Sequence, residues 1–286
     1  MVTATISKSA FAGDRLYQIR ARRALPLLVR QARASQPIRY GDLAEELEMP
    51  NPRNLNYVLG AVGRAIQELE AEWKSRIPKL TSIVVNKYTG QPSDGIIEFL
   101  DYPDVYKSAL PEVRRAMVKA AREEVYAYPH WSEVLHHWHL AAAGPVGSAP
   151  QPVRGGVPEG EAHRNLKTLV AAHPEVIGLG RFAKLVGIEA FLPSGDEVDV
   201  LFSSRNDLLA IEIKAHTASD AEITRGMYQC IKYAAVLRAK QRASQTQGDA
   251  QAWLVLGRSL PKSLIPLRNT LGVHVIDEIG TPCGSL

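Results

Sequence analysis

The sequence contains only two cysteines, Cys230 and Cys283, and their separation offers neither a metal-binding spacing nor a disulfide framework. No apolar run is long enough to span a membrane. Residues 1–13 lack the continuous apolar core of a signal peptide. We therefore expect a cytoplasmic protein that does not enter a membrane.

Aromatic residues make up only 7% of the chain. Modules that read RNA specifically stack unpaired bases on exposed aromatic side chains. This composition favours DNA over RNA as a nucleic-acid partner, and RNA stays open as an alternative.

Acidic residues are nearly absent from residues 1–40, where Asp14 is the one acid. Because the net charge of the whole chain is only +4, the positive charge is concentrated at this end. A basic segment of this kind suits a polyanion. A solvated basic helix face is an equal alternative for the segment taken alone. Its basic residues are Lys8, Arg15, Arg20, Arg22, Arg23, Arg30, Arg33 and Arg39.

The remaining composition is that of a globular protein, since 45% of the 286 residues are hydrophobic and 22% are charged. This length suits two domains with separate cores. Residues 141–160 contain five glycines and four prolines with two charged side chains, so they predict a linker. We therefore predict an N-terminal domain over 1–140, a linker over 141–158 and a C-terminal domain over 159–286.

The N-terminal domain has the pattern of a helix-turn-helix, in which a short helix, a turn and a longer helix follow one another. A first helix is expected before it, with Pro26 tolerated only near the helix start. The predicted elements are a helix at Arg22–Ala34, an extended piece at Ile38–Tyr40, a helix at Gly41–Leu47, a turn at Glu48–Pro52 and a helix at Arg53–Glu70.

The longer helix has two distinct sides at 3.6 residues per turn. One side is apolar and consists of Leu55, Val58, Leu59, Val62, Ile66 and Leu69. The opposite side has no acid and consists of Arg53, Asn56, Tyr57, Gly60, Gly63, Arg64 and Gln67. Donors and small residues on one helix side are typical of a helix that reads a nucleic-acid groove.

Two strands around a turn are predicted after this helix, at Lys79–Asn86 and Gly95–Leu100, with the turn at Lys87–Asp94. The whole segment resembles a winged-helix domain with this hairpin as its wing. The resemblance implies binding of DNA, with the duplex favoured, and contacts from Arg53, Asn56, Arg64, Gln67 and Lys87. A protein-interaction module and a scaffold remain alternatives, because such domains serve these purposes too.

The most informative stretch is Gly195–Lys214, which predicts two strands joined by a polar loop. In the first strand Asp199 alternates with Val198 and Val200, so its side chain points to the opposite face. In the second strand Glu212 and Lys214 share one face. Charged groups on an otherwise apolar strand are costly to bury without a purpose.

Two carboxylates at short range suit a hard divalent cation such as Mg²⁺. Such an ion polarises a phosphoryl oxygen and lowers the pKa of a bound water. A neighbouring lysine orients that water or stabilises charge on the phosphate. The pattern therefore predicts a phosphodiesterase site, and a surface ion cluster on an edge strand is the alternative.

Asp199 followed on the next strand by Glu212-Ile213-Lys214 resembles the PD-(D/E)XK nuclease superfamily, which has the restriction-endonuclease-like fold. The similarity covers about residues 159–280. The proline of the motif would be Pro193, which here stands six residues before Asp199. The resemblance implies that Asp199, Glu212 and the Ile213 carbonyl hold Mg²⁺ or Mn²⁺, while Lys214 positions the attacking water.

The same resemblance implies further site residues. An acid on the first helix of the domain often reaches the metals, which would be Glu161. Glu161 is equally explained as an acid that stabilises a helix N-terminus, and Glu189 is a rival for the metal role. Polar residues on the long helix after the motif, Arg225, Gln229 and Lys232, would face the site or the substrate backbone.

The predicted fold class is α/β, with an α+β N-terminal domain and a mixed C-terminal sheet flanked by helices. The function that this organisation implies is a metal-dependent DNA endonuclease, which by analogy fits restriction, phage defence or DNA repair. Cutting both strands of a duplex would require two active sites and hence a homodimer. The alternatives are a non-catalytic DNA-binding scaffold, an RNA nuclease, and an effector nuclease that a partner activates.

Overall fold

A computed structural model of the chain describes residues 10–100, 102–144, 160–180 and 182–280. The chain divides into two compact units, Met1–Pro145 and Val146–Leu286. Most of the predicted linker lies outside the described residues, as do Lys8 and Cys283. No helix in the described ranges is long and apolar enough to cross a membrane.

The first unit is mainly helical, and most of its elements match the predicted ones. Its α-helices are α1 Leu16–Arg33, α2 Tyr40–Glu46, α3 Leu55–Trp73, α4 Pro103–Ser108, α5 Pro111–Ala127 and α6 Trp131–His137. Its strands are β1 Ile38–Arg39 and β2 Val84–Val85, and 3₁₀ turns lie at Pro52–Asn54, Leu80–Ile83 and Asp94–Phe99.

The core of the first unit forms around α1 and α3. All six residues predicted for the apolar side of α3 are buried, because a helix in a small domain must cover its apolar stripe. Gly63 is also buried, contrary to its predicted place on the polar side. Pro26 lies inside α1 and not near its start. The buried neighbours Leu25 and Leu28 anchor the helix on both sides of this proline.

The predicted wing hairpin is absent from the described residues. Instead of a strand, 95–100 lies largely in the 3₁₀ turn Asp94–Phe99. Half of the other predicted strand is the 3₁₀ turn Leu80–Ile83, whose four residues are all buried. Period-two alternation favours a strand that has one buried face and one exposed face. It gives no such advantage to residues that are all buried. The two-residue β2 pairs in parallel with β1, Ile38 with Val84.

The second unit is a five-stranded mixed sheet with helices, as predicted. Its elements are α7 Glu161–Ala172, β3 Lys184–Phe191, β4 Glu197–Ser204, β5 Asp207–Lys214, α8 Asp220–Ala243, β6 Ala250–Leu256, α9 Ile265–Leu271 and β7 His274–Ile276, with 3₁₀ turns at Pro174–Ile177 and Lys262–Leu264. The strand order is β3-β4-β5-β6-β7. The β3/β4 and β4/β5 pairs are antiparallel, and the β5/β6 and β6/β7 pairs are parallel.

Each face of this sheet has its own apolar core. Phe202, Ile211 and Ile213 pack with residues of α7. Leu201 and Ala210 pack with Tyr233 and Leu237 of α8 on the other face. Because neighbouring residues of a strand point to opposite faces, this division fixes the face on which Asp199, Glu212 and Lys214 lie.

Candidate active site

The register of β4 and β5 brings Asp199 and Glu212 opposite each other. Val200 pairs with Ile211 in this antiparallel ladder, so the next pair outward is Asp199 and Glu212, with both side chains on one face. The Asp199 carboxylate is fixed further by the backbone of β5, because the Ile213 N–H donates to Asp199 Oδ2 at 2.6 Å. Two predicted metal ligands are therefore held by adjacent strands. The role predicted for the Ile213 carbonyl stays a prediction.

Glu212 and Lys214 form a buried ion pair. The Lys214 ammonium donates to Glu212 Oε1, and the side chains are 17% and 5% exposed. Burial raises the pKa of the Glu212 carboxyl to about 7, and nearby Asp199 raises it as well, although Lys214 opposes both effects. Glu212 is therefore a carboxylate that lacks sufficient compensating positive charge.

The motif search missed His163, which contacts the cluster from α7. The His163 Nε2 atom lies 3.1 Å from Asp199 Oδ1. One turn later on the same helix, Lys167 Nζ donates to Glu189 Oε1 at 2.5 Å. The spacing of His163 and Lys167, four residues apart on the helix that precedes the motif, is the signal that could have identified this pair.

Glu189 lies in line with the two predicted ligands. The β3/β4 register pairs Ile188 with Val200 and Ala190 with Val198, which sets Glu189 opposite Asp199. Its backbone adopts a φ of 53°, a left-handed conformation that strains a non-glycine residue. The carboxylate of Glu189 is thus near the row formed by Asp199 and Glu212, but it is held by Lys167.

Glu161 does not join this cluster. It heads α7, and at 3.6 residues per turn its side chain points about 200° away from that of His163. Glu161 lines a separate cavity of about 700 Å³ together with His216. The expectation that this acid reaches the site is corrected, since His163 is the residue of α7 that contacts Asp199.

A glycine on α8 permits the close approach of this helix to the cluster. A Cβ atom at Gly226 would lie 2.8 Å from Leu254 Cδ1, 3.3 Å from Lys214 Cε and 3.5 Å from Glu212 Cγ. The first distance is shorter than real Cβ contacts allow. Gly226 therefore lets α8 pack directly over Glu212 and Lys214.

The polar residues predicted on α8 lie on one side of the helix and are largely engaged by the protein. Gln229 Nε2 donates to the Tyr233 hydroxyl at 3.0 Å, which donates to the Glu197 carbonyl at 3.2 Å. Burial raises the pKa of Tyr233. Lys232 donates to Asp196 at 2.7 Å. Arg225 Nε and Gln229 Oε1 are buried without a hydrogen-bond partner in the described part of the chain.

A cavity of about 600 Å³ opens beside the cluster. Its wall includes residues of α7, β3, β4, β5 and α8. The charged members that concern the chemistry are His163, Lys167, Glu189, Asp199, Lys214 and Glu222. Carboxylates and cations that line one cavity are able to bind a metal ion and a phosphate group together.

The donor set fits Mg²⁺ better than a metal that needs a closed cage. In the described ranges, no group of three or more His, Cys, Asp and Glu side chains is placed to hold a metal ion. Mg²⁺ keeps several waters and binds through one or two carboxylates, which Asp199 and Glu212 supply. The raised pKa of the buried Glu212 also fits, because a cation beside it would offset its desolvation.

In the first unit, the predicted contacts Asn56, Arg64 and Gln67 are exposed on α3. Arg53 is exposed too, but it lies in the 3₁₀ turn Pro52–Asn54, so the helix predicted to begin at Arg53 begins at Leu55. Lys87 lies in a tight turn, not at the tip of a hairpin, and its ammonium stacks 4.6 Å from the centre of the Tyr88 ring. The nucleic-acid role of these residues stays a prediction.

Several arginines of the basic segment have structural partners. Arg30 forms a two-point ion pair with Glu46, at 2.6 and 2.8 Å. Arg22 donates to the Gly13 carbonyl at 2.9 Å, and Arg33 to Ser132 at 2.8 Å. The basic segment is therefore not one uniform binding arm.

Comparison of the chain with protein-family models, curated proteins and solved structures found no match.

Proposed function

We propose that this chain is a metal-dependent nuclease that hydrolyses phosphodiester bonds of DNA. The observation that carries the proposal is the meeting of Asp199 and Glu212 across adjacent strands, with Lys214 paired to the buried Glu212. Asp199 and Lys214 line the adjoining cavity. Buried acids with insufficient compensating charge are characteristic of active sites.

Asp199 and Glu212 are the residues that would hold Mg²⁺ or Mn²⁺. The ion would supply a Lewis acid for a phosphoryl oxygen and would acidify a bound water. The remaining ligand positions of Mg²⁺ are usually filled by water and by substrate phosphate, for which the adjoining cavity of about 600 Å³ has room.

The other residues of the site prepare it for this chemistry. The Ile213 N–H and His163 each hold one oxygen of Asp199, so the carboxylate has a fixed orientation. The Lys214 ammonium, which is paired with Glu212, is a positive charge at the cavity that the substrate would reach, where it would orient the water or stabilise a phosphate oxygen. Gly226 keeps α8 close enough to fix the stem of Lys214.

DNA as the substrate is supported by the resemblance of the motif and by the exposed Arg64 of α3 and Arg53 of the turn before it. Restriction, phage defence and DNA repair all fit such an enzyme. A homodimer would be required for simultaneous cutting of both strands. Cytoplasmic location agrees with this function.

The test is a cleavage assay on supercoiled plasmid, linear duplex, single-stranded DNA and RNA, with Mg²⁺, Mn²⁺ or EDTA. Wild type should cut DNA only with metal. Lys214→Ala and Glu212→Ala should each lower the rate by at least about 100-fold, since the first removes the positive charge beside the reacting phosphate and the second removes a metal ligand. Matched controls are Lys184→Ala and Glu175→Ala, which change exposed residues outside the cavity.

Cleavage that survives both substitutions would place the active site elsewhere. Duplex binding without cleavage of any substrate would favour the scaffold or the partner-activated effector. A calorimetric titration with Mn²⁺ provides a second readout, because Glu212→Ala should weaken metal binding even where no cleavage is measured.

A further inference from the structure

A groove between the start of α1 and the start of α3 has a surface that the proposed catalytic site does not use. It has a volume of about 570 Å³. We name it the α1–α3 groove. Its lining includes Arg15, Arg20, Asn54, Tyr57, Val58 and Arg64.

The groove is basic because its arginines are not neutralised. Within the described part of the chain, Arg15, Arg20 and Arg64 form no ion pair, whereas Arg30 is paired with Glu46. No acid lines the groove. Asp14 and Glu68 line the adjoining cavity, and the Glu68 carboxylate accepts the Ala10 N–H at 3.1 Å. Three guanidinium groups around one concave surface attract a polyanion.

The helix ends add to this potential. Neither α1 nor α3 has an acid in its first turn, while α2, α4, α5 and α6 each have one. The positive end of a helix dipole is usually complemented by such an acid. The groove lies at two helix starts that lack it, so an anionic ligand would complement both.

The ring of Tyr57 provides a stacking surface beside these positive charges. Its side chain stands in the groove among the arginines and the residue is 67% exposed. An exposed aromatic ring flanked by guanidinium groups is suited to stack on a nucleobase while the cations bind the adjacent phosphates. In a duplex the base faces are already stacked on one another, so they are not accessible to a ring in a concave groove.

A second groove on the other side of α3 is less suited to a polyanion. Its volume is about 520 Å³, and it shares Tyr57 and Arg64 with the first groove. Arg64 is its one arginine and Asp94 is an acid in its lining. The charge therefore favours the α1–α3 groove over this second groove. Tyr57 and Arg64 line both, and they belong to the side of α3 that the helix-turn-helix pattern indicated.

We propose that the α1–α3 groove binds single-stranded nucleic acid, with a base stacked on Tyr57 and phosphates held by Arg15, Arg20 and Arg64. This binding extends the proposed function, because it makes an unpaired strand the form that the first unit recognises. It does not depend on the catalytic site. The stacking and charge are common to DNA and RNA strands, so the sugar is decided by experiment.

The test is fluorescence anisotropy with the full chain in EDTA, which prevents metal-dependent cleavage. The probes are a labelled 20-nucleotide DNA strand, its duplex, and the RNA strand of the same sequence. Wild type should bind a single strand more tightly than the duplex. Tyr57→Ala should weaken this binding about tenfold, and Tyr57→Phe should restore it because stacking requires only the ring.

The phosphate contacts are tested by salt dependence. Arg20→Ala should lower the slope of log affinity against log salt by about 0.7, the value for one phosphate contact on a single strand. Matched controls are Tyr88→Ala and Arg115→Ala, which change an exposed tyrosine and an exposed arginine outside the groove. Both controls should bind as wild type does.

Three results would overturn the proposal: single-strand affinity unchanged in Tyr57→Ala and Arg20→Ala, duplex binding as tight as single-strand binding, or equal competition by poly-glutamate. The last result would indicate a groove for acidic peptides. Since the assay contains EDTA, none of these results bears on the metal-dependent cleavage by Asp199 and Glu212, which is measured separately.

Discussion

Among the described residues, each of the two units has an ion pair in which the side chain of the acid is almost fully buried. The two pairs differ in how well the acid is compensated. In the first unit Arg30 donates to both oxygens of Glu46, and the side chains are 9% and 8% exposed. In the second unit Lys214 donates to one oxygen of Glu212, which also faces Asp199.

The difference separates an ion pair that serves the fold from one that is available for chemistry. A planar guanidinium satisfies a carboxylate at two points and holds it in place. A single ammonium on a flexible stem leaves Glu212 with a second acid nearby and a raised pKa. In the first pair both carboxylate oxygens are satisfied, although Arg30 Nε is buried without a hydrogen-bond partner among the described residues. The second pair gains stability from any further positive charge.

Among the substitutions that test this difference between the two ion pairs, Arg30→Ala should cause the largest loss of stability. It leaves Glu46 buried without its partner, which should destabilise the protein by about 3–5 kcal/mol. Lys214→Ala should cost less, about 1 kcal/mol near neutral pH, because Glu212 takes up a proton instead. Urea unfolding with peptide-resolved hydrogen exchange measures both and assigns each loss to its unit. Equal losses would show that the two pairs are equivalent.

Glu212→Gln and Glu46→Gln should have opposite effects on the stability of the metal-free protein. Because burial raises the pKa of Glu212 to about 7, the ionised group opposes folding. Its contribution is most favourable below pH 4.5 and declines as the pH rises to about 7. Glu212→Gln removes this decline, so it should stabilise the protein by about 2–3 kcal/mol at pH 8 and have little effect at pH 4.5.

Glu46→Gln should instead destabilise the protein by about 1–3 kcal/mol at pH 8, since it weakens two charge-assisted hydrogen bonds. Urea unfolding in EDTA between pH 4.5 and 8 measures both variants. If the stability difference between wild type and Glu212→Gln does not change with pH, the inference that burial raises the pKa of Glu212 is wrong.

The smallest effects are expected from a glycine-to-alanine substitution, which is made once in α8 and once in α3. Gly226→Ala introduces a Cβ that is 2.8 Å from Leu254 Cδ1, so it should cost about 1–3 kcal/mol by overpacking and lower cleavage about tenfold by displacing Lys214. Gly60→Ala is the matched control in α3, where the nearest atom is the mobile Arg64 Nη1 at 3.4 Å.

Gly60→Ala should stabilise the chain by about 0.5–1 kcal/mol, because alanine favours a helix over glycine. Thermal unfolding and the plasmid assay are the measurements. A gain of stability and unchanged cleavage in Gly226→Ala would mean that α8 moves away without affecting the site.

The sequence was sufficient for much of the second unit. Period-two alternation predicted β4 and β5 and put Glu212 and Lys214 on one face, because side-chain direction in a strand depends only on position. Asp199 joins them because β4 and β5 pair. The expectation that Glu161 lies on the first helix of the domain is also confirmed, since it begins α7. The identity of the residue that α7 presents to Asp199 was not predictable in this way, because it depends on how the helix is rotated against the sheet.

The first unit shows where local patterns fail. The residues of 79–86 and 95–100 predicted a hairpin, but these segments form 3₁₀ turns with a two-residue strand. Both runs are short, and the four residues Leu80–Ile83 are buried in the surrounding structure. Tertiary packing outweighs strand propensity in such segments.

The sequence alone determined the fold class, the apolar side of α3, and the spacing of the acid cluster, since each follows from a local period of the chain. Tertiary structure decided which charges meet across large separations. It paired His163 with Asp199, neutralised Arg30 with Glu46, and left Arg15, Arg20 and Arg64 around one groove. The physical reason is that burial and electrostatic compensation depend on distances in space, which helical and strand periodicities do not contain.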